Sequence, residues 1–232
     1  MTLSIPIEVL DTAESVAGKA ADIVAEEARN AVAARGRFVM AVSGGHTPWL
    51  MLRALAAREV RWPAIHVVQV DERVAPAGHA DRNLTHLRES LLDHAPLSAQ
   101  QIHNMPVESA DLEGAAGQYG ATLRQIAGSS AVLDLVHLGL GPDGHTASLV
   151  PGDAVLNVEN ADVAMTGVYQ GRRRMTLTYP VINRSRTILW MVTGGEKVPM
   201  LKRLLEGDES IPAGRVRREG ARIVADRAAK GV

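Results

Sequence analysis

The sequence predicts an α/β fold, a mostly parallel sheet covered by helices on both faces. Three observations predict it. Short apolar runs rich in β-branched residues alternate with amphipathic helical segments. Those runs are apolar at consecutive positions, as strands covered on both faces are. Each is followed by a polar or glycine-rich turn, and this strand–helix alternation points to βαβ units and parallel strands.

A short apolar segment, Leu3 to Val9, opens the chain. An Ala-rich helix is predicted over about Ala13 to Arg35, with Val16, Ala20, Ile23 and Val24 at helical spacing. Arg37 to Val42 reads as a strand that stops at Ser43-Gly44-Gly45. Thr47 is the candidate N-cap of the next helix, and Pro48 suits its first position. That helix carries Leu50, Leu52 and Leu55. Ile65 to Val70 is a β-branched run ending in the charged turn Asp71-Glu72-Arg73. A helix from about Asp81 to His94 follows, with Leu84, Leu87 and Leu91 on one face. Another spans about Leu112 to Ile126. Leu133 to Leu140 is a strand that runs into Gly141-Pro142-Asp143-Gly144-His145. Beyond Pro151, Val163 to Tyr169 and Met175 to Thr178 are short β-prone pieces, and Thr187 to Thr193 is a strand. Gly194-Gly195 and a helix near Val198 to Leu205 come next. Arg222 to Ala225 is ambiguous between strand and helix.

Composition excludes several function classes. Lys plus Arg is 25 and Asp plus Glu is 26, so the net charge is −1 and the basic footprint of a nucleic-acid binder is missing. The chain contains no cysteine, which removes disulfides, thiolate metal sites and a thiol nucleophile together, and is compatible with a reducing cytoplasm. Met1 to Leu10 lacks the basic region and apolar core of a secretory signal, and no apolar run is long enough to span a bilayer. Aromatics are only 3 %, so the core must be packed with Ala, Val, Leu and Ile.

In open parallel sheets ligands bind beyond the C-terminal strand ends. That rule sorts the polar residues. Ser43-Gly44-Gly45-His46-Thr47 lies between a strand and a helix N-terminus, where close backbone approach and free N–H groups favour an anion. A tight turn with a Thr cap is an equal reading, and the Gly-Lys-Ser/Thr ending of a Walker loop is missing. Asp71 and Arg73 sit at a strand end, where Arg73 could hold a phosphate bidentately. Glu72 reads as a solvated partner in an internal salt bridge. Gly139 to Gly144 matches G-x-G-x-x-G, but Pro151-Gly152 leaves no room for the long helix of a dinucleotide fingerprint. The turn instead presents His145 beside Asp143. An imidazole is a general base near neutrality, and a neighbouring carboxylate can orient it. A structural histidine is an equal reading. His66, His79, His86, His94, His103 and His137 show no metal-ligand spacing, so no metal is expected. Gly171-Arg172-Arg173-Arg174 is a basic run, read as a solvated face or as help in anion capture.

Together these pieces resemble the 6-phosphogluconolactonases, part of the family shared with glucosamine-6-phosphate isomerases. The resemblance rests on Ser43-Gly44-Gly45-His46-Thr47-Pro48, Asp71-Glu72-Arg73, Gly139 to Leu149, Arg174-Met175-Thr176-Leu177-Thr178 and Gly194-Gly195-Glu196-Lys197, in order, with Ile211-Pro212-Ala213 and Asp226 to Ala229 at the C-terminal end. It implies a Rossmann-like parallel sheet forming one domain over residues 1–232. It implies hydrolysis of 6-phospho-D-glucono-1,5-lactone in the oxidative pentose phosphate pathway, without cofactor. The expected partner is a small sugar-phosphate lactone, with no nucleic acid or membrane, in a cytoplasmic monomer or weak homo-oligomer. Glucosamine-6-phosphate deaminases carry a Glu-Pro pair where this chain has Val150-Pro151, which speaks against ring-opening deamination. Two departures from the lactonase pattern, His46 for Ser or Thr and Arg82 before Asn83, bear on phosphate contact.

The resemblance also implies roles for these residues. His145 is the base on water and returns the proton to the ring oxygen, with Asp143 supporting it. The phosphate lies over Ser43, Gly44, Gly45 and Thr47, with Arg73 and Lys197 as cationic partners and Arg174 as a further candidate. Asp71 touches sugar hydroxyls or holds its loop. A sugar-phosphate isomerase or deaminase and a catalytically silent sugar-phosphate sensor are the competing readings.

Overall fold

The computed structural model describes residues 4–232. Met1–Leu3, where the predicted apolar segment and the stretch read as lacking a signal begin, lie outside the described residues. The chain first forms strand β1 (Ile7–Leu10). The Thr12 hydroxyl then accepts the Ser15 N–H at 3.2 Å and caps helix α1 (Ala13–Arg35), which stops at Gly36 with φ 74°. Strand β2 (Phe38–Val42) is buried at every position.

Helix α2 (His46–Ala56) departs from expectation at its start. Its cap is Gly45, with no side-chain cap, and His46 rather than Pro48 is the first helical residue. Gly45 stands at φ 124°, a conformation that glycine adopts without strain, so the chain turns into the helix two residues early. Thr47 is therefore inside the first turn, with its hydroxyl 2.7 Å from that of Thr193.

Strand β3 (Ile65–Gln69) follows, and Asp71–Arg73 is not a turn but a strand, β4. The predicted helix over Asp81 to His94 is shorter: α3 (Asn83–Leu87) runs into a π-type turn at Arg88–Leu92. It starts at Asn83 because the Glu72 carboxylate accepts the Asn83 and Leu84 N–H groups, each at 2.8 Å. Next come β5 (Ile102–His103), α4 (Leu112–Ala127), β6 (Leu135–Gly139), β7 (Val163–Met165), β8 (Arg174–Leu177) and the unpredicted short helix α5 (Tyr179–Arg184). The chain finishes with β9 (Thr187–Val192), α6 (Val198–Glu206), β10 (Ala221–Asp226) and α7 (Arg227–Lys230). The ambiguous segment at Arg222 is thus a strand, held between β1 and β9.

Seven strands form a parallel sheet in the order β1-β10-β9-β6-β2-β3-β5. Alternate residues feed two cores. Phe38, Met40 and Leu189 pack with α1 and α2 on one face. Val39, Val136 and Trp190 pack with α4 and α6 on the other. Burying side chains of this size contributes about 1.5–3 kcal/mol each. A second, antiparallel sheet, β4-β8-β7, stands beside the first, with Asp71 opposite Thr176 and Arg73 opposite Arg174. Among the described residues no helix is long and apolar enough to cross a membrane.

Candidate active site

Chain order reverses between β2 and β6. β3 and β5 extend the sheet on one side, and β9 and β10 on the other. Such a switch point opens a crevice beyond the strand ends. The turns after β2 and β6 meet there. The Ser43 hydroxyl donates to the His137 carbonyl at 2.8 Å, and the Ser43 N–H donates to His137 Nδ1 at 3.3 Å. His137 is fully buried, and burial pushes its imidazole down to about 4. Neutral His137 thus anchors the glycine-rich turn. Gly44 packs against Asn83, whose amide occupies the space a Cβ would need. Because α2 has no side-chain cap, its first-turn N–H groups keep their capacity for an anion.

The turn after β6 is closed by Gly144 N–H to Gly141 C=O at 3.0 Å and Gly141 N–H to His145 C=O at 2.8 Å. Thr146 Oγ1 ties it to the Gly139 carbonyl at 2.9 Å. His145 Nδ1 lies 2.5 Å from Asp143 Oδ1, which also accepts the His145 backbone N–H at 3.1 Å. Tyr169 donates its hydroxyl to Asp143 Oδ2 at 3.1 Å. Burial pushes the Asp143 carboxyl up, but the hydrogen bonds from the His145 N–H and imidazole and from Tyr169 outweigh it, and the group stays below the usual carboxylate range. An ionised Asp143 is an acceptor only, so Nδ1 carries the proton and Nε2 is the basic nitrogen of His145. Just beyond, Ala147 holds φ 52°, a strained position for a residue with a Cβ.

The opposite wall comes from β4, β8 and α3. Glu72, expected in solvent, is fully buried. It accepts from Gln69, the Arg73 N–H, the Asn83 N–H and the Leu84 N–H, and pairs with Arg82 at 3.2 Å. A buried carboxylate needs such compensation. Arg73 donates to the Asp81 carbonyl at 2.9 Å and to Asn83 Oδ1 at 3.0 Å, while its Nε is buried and has no partner among the described residues. Asp71 Oδ2 accepts from the Ser148 hydroxyl at 2.5 Å. Arg174 is buried, with Nη1 3.4 Å from that hydroxyl. Of the basic run, Arg172 pairs with Asp81 and Arg173 with Glu113, so only Arg174 faces the cleft.

These elements enclose a cleft of about 370 Å³. The glycine-rich residues Ser43, Gly44, Gly45 and Thr47 line it, as do Asp71 and Arg73. So do Arg174, His145 and Lys197, the last lying 3.6 Å from the Glu196 carboxylate. Asp143 does not line the cleft but stands behind His145. The Ser43 hydroxyl donates inward to β6 rather than toward the cleft. His46 reaches the cleft, whereas Arg82 turns away to Ala75, Glu72 and Glu108. Sequence reasoning passed over Asn83, Thr193 and Glu196 on the lining and Tyr169 behind it. Thr193 and Glu196 flank a Gly-Gly turn already singled out, which was the available signal. No three metal-ligating side chains cluster among the described residues.

A profile of the family described as "Glucosamine-6-phosphate isomerases/6-phosphogluconolactonase" matches residues 11–225. The chain belongs to this family. Among its curated relatives, the 6-phosphogluconolactonase of Synechocystis is 37% identical over 195 residues, covering 82% of this chain and 81% of that protein. The human 6-phosphogluconolactonase is 34% identical over 219 residues, covering 89% and 83%. The solved 6-phosphogluconolactonase of Trypanosoma cruzi superposes with a TM-score of 0.89 at 23% identity, over 100% of this chain and 97% of that one. A monomeric glucosamine-6-phosphate deaminase superposes with a TM-score of 0.84 at 19% identity, covering 98% and 99%. The parallel Rossmann-like sheet of this chain is thus the fold of a solved lactonase and of a solved deaminase alike.

Proposed function

We propose that this chain hydrolyses 6-phospho-D-glucono-1,5-lactone to 6-phospho-D-gluconate in the oxidative pentose phosphate pathway. The observation that carries the reading is the His145–Asp143 pair, 2.5 Å apart, in a cleft whose other walls hold Arg73, Lys197 and an uncapped helix N-terminus. The curated relatives named above are lactonases. Position 150 is a buried valine, so no carboxylate stands there for deaminase chemistry.

His145 Nε2 takes a proton from water as the water oxygen bonds to the lactone carbonyl carbon. The resulting tetrahedral oxyanion collapses, the bond to the ring oxygen breaks, and that oxygen receives the proton from His145. Asp143 holds Nδ1–H and stabilises the imidazolium formed in between. The phosphate lies at the α2 N-terminus over Gly44, Gly45 and Thr47, facing Arg73 and Lys197. Asp71 and Arg174 border the sugar. These residues act without a covalent intermediate. The proposal extends to a cytoplasmic monomer or weak homo-oligomer acting on a diffusible sugar phosphate; among the described residues no helix is long and apolar enough to cross a membrane.

The test is a coupled assay. Lactone is generated by a glucose-6-phosphate dehydrogenase, and its loss is followed with and without this protein. Loss well above the spontaneous rate at catalytic protein concentration is expected. Loss at the spontaneous rate would refute the reading.

A further inference from the structure

Tyr169 belongs to neither the glycine-rich motifs nor the cleft lining, yet it touches the centre of the proposed chemistry. It sits at the tip of the hairpin that joins β7 to β8. Tyr169 and Arg172 exchange both backbone hydrogen bonds, at 2.9 and 3.2 Å, around Gln170 and Gly171. Those two residues hold φ 50° and 78°, the pattern of a two-residue type I′ turn. The turn fixes the Tyr169 backbone. Its ring is fixed as well. The Arg174 guanidinium lies 4.9 Å over the ring centroid, and its Nη2 donates to Gln170 Oε1 at 3.1 Å. The His145 ring meets Tyr169 edge-on, with centroids 5.5 Å apart at 67°.

We propose that Tyr169 is a positioning residue for the reaction, its hydroxyl holding the Asp143 carboxylate so that Oδ1 stays on His145. Asp143 divides its two oxygens. Oδ1 takes the His145 side chain and backbone N–H, and Oδ2 takes Tyr169. A carboxylate turns readily about its terminal bond, so a second anchor on the other oxygen removes that freedom. Tyr169 remains a donor at neutral pH, because burial and then the Asp143 charge raise its phenol above the ordinary value. The neighbouring Gly167, Val168 and Gln170 are exposed, so packing of the tip does not itself demand a tyrosine. A chain of hydrogen bonds thus runs from the small antiparallel sheet through Tyr169 and Asp143 to His145.

This inference rests on the Asp143–His145 reading, and a double-mutant cycle separates the two. Lactone turnover is measured for wild type, Tyr169→Phe, Asp143→Ala and the double variant, with thermal melts alongside. Tyr169→Phe keeps the ring and is expected to fold normally. Its kcat should fall about tenfold with KM changed less than about twofold, the size of one hydrogen bond to a charged group. In the Asp143→Ala background the same change should alter kcat by less than about twofold. An unchanged kcat for Tyr169→Phe beside an impaired Asp143→Ala overturns the role of Tyr169 alone. An equal loss in both backgrounds, or a raised KM with kcat kept, also overturns it. Wild-type turnover in Asp143→Ala refutes the Asp143–His145 reading itself, and the role of Tyr169 falls with it.

Discussion

Glu72→Gln is the substitution from which the structure predicts most. It is nearly isosteric, so any loss reports charge and hydrogen bonding rather than a cavity. Glu72 Oε1 accepts the Arg73 and Asn83 N–H groups at 2.8 Å each, and Oε2 accepts Gln69 Nε2 at 2.9 Å and the Leu84 N–H at 2.8 Å. Arg82, itself buried, sits 3.2 Å from Oε2. A glutamine presents one oxygen and one NH₂. Whichever way it faces, at least two buried donors meet another donor, and Arg82 loses its buried charge partner and keeps only the exposed Glu108. Two unsatisfied buried groups cost about 2–6 kcal/mol, and breaking a buried ion pair costs about 3–5 kcal/mol. These overlap, so the expected destabilisation is about 4 kcal/mol. At 2–4 °C per kcal/mol for a chain of this size, the melting temperature should fall about 8–16 °C. Arg73 and Asn83 line the cleft, so KM should rise in the folded variant. Thermal unfolding followed by circular dichroism measures the first effect, and a coupled lactonase assay below the transition measures the second. A melting temperature within about 2 °C of wild type would refute the assignment of Glu72 as the buried hub of this wall.

Arg73→Ala should raise the KM for lactone about tenfold or more while kcat stays within about threefold, since it removes a phosphate partner and not the base. An unchanged KM takes Arg73 out of the phosphate site. Gly141→Ala should lower kcat about a hundredfold in a folded protein, because the new Cβ would collide with the His145 imidazole and displace it. Turnover within about threefold of wild type contradicts that geometry. Buried His137 contributes a pH dependence of stability. The unfolded imidazole takes up its proton near pH 6.5 and the folded one only near pH 4, so the unfolded state binds more protons in between. Stability is therefore full above pH 6.5 and falls as pH drops toward 4, by about 3 kcal/mol. Urea melts across that window should show a smaller loss for His137→Gln. Equal losses in the two proteins contradict it.

The central strands of the parallel sheet were legible because runs such as Phe38–Val42 are apolar at every position and the helices keep a clean period, as in Ala13–Arg35, whereas β5 is only two residues long and β10 carries Arg222 and Asp226. Of the antiparallel sheet, β7 and β8 were read as β-prone pieces, but β4 and the pairing were not. Asp71-Glu72-Arg73 reads as solvent-exposed charge, and only pairing with Arg174–Leu177, far along the chain, makes it a strand. The burial of Glu72 has the same origin, since its donors come from β3, β4 and α3 together. Helix α3 begins where that distant carboxylate supplies a cap, which local propensity does not encode. Gly45 took the capping position from Thr47 because a positive φ turned the chain sooner than hydroxyl capping would. The cleft itself was readable, since strand-end turns must converge in a parallel sheet. Tyr169 was assigned to a β-prone stretch. Gln170-Gly171 between two such stretches was the signal for a tight hairpin that would carry it to the site.

The assignment of His145 as the base in lactone hydrolysis is tested most directly by one comparison. Wild type and His145→Ala are assayed for kcat on lactone generated in place, with the spontaneous opening subtracted. A positioned general base contributes about 10²–10⁴ in rate, so kcat should fall by that factor while binding of 6-phosphogluconate persists. A variant that turns over within about threefold of wild type would contradict the role given to His145 and, with it, to Asp143.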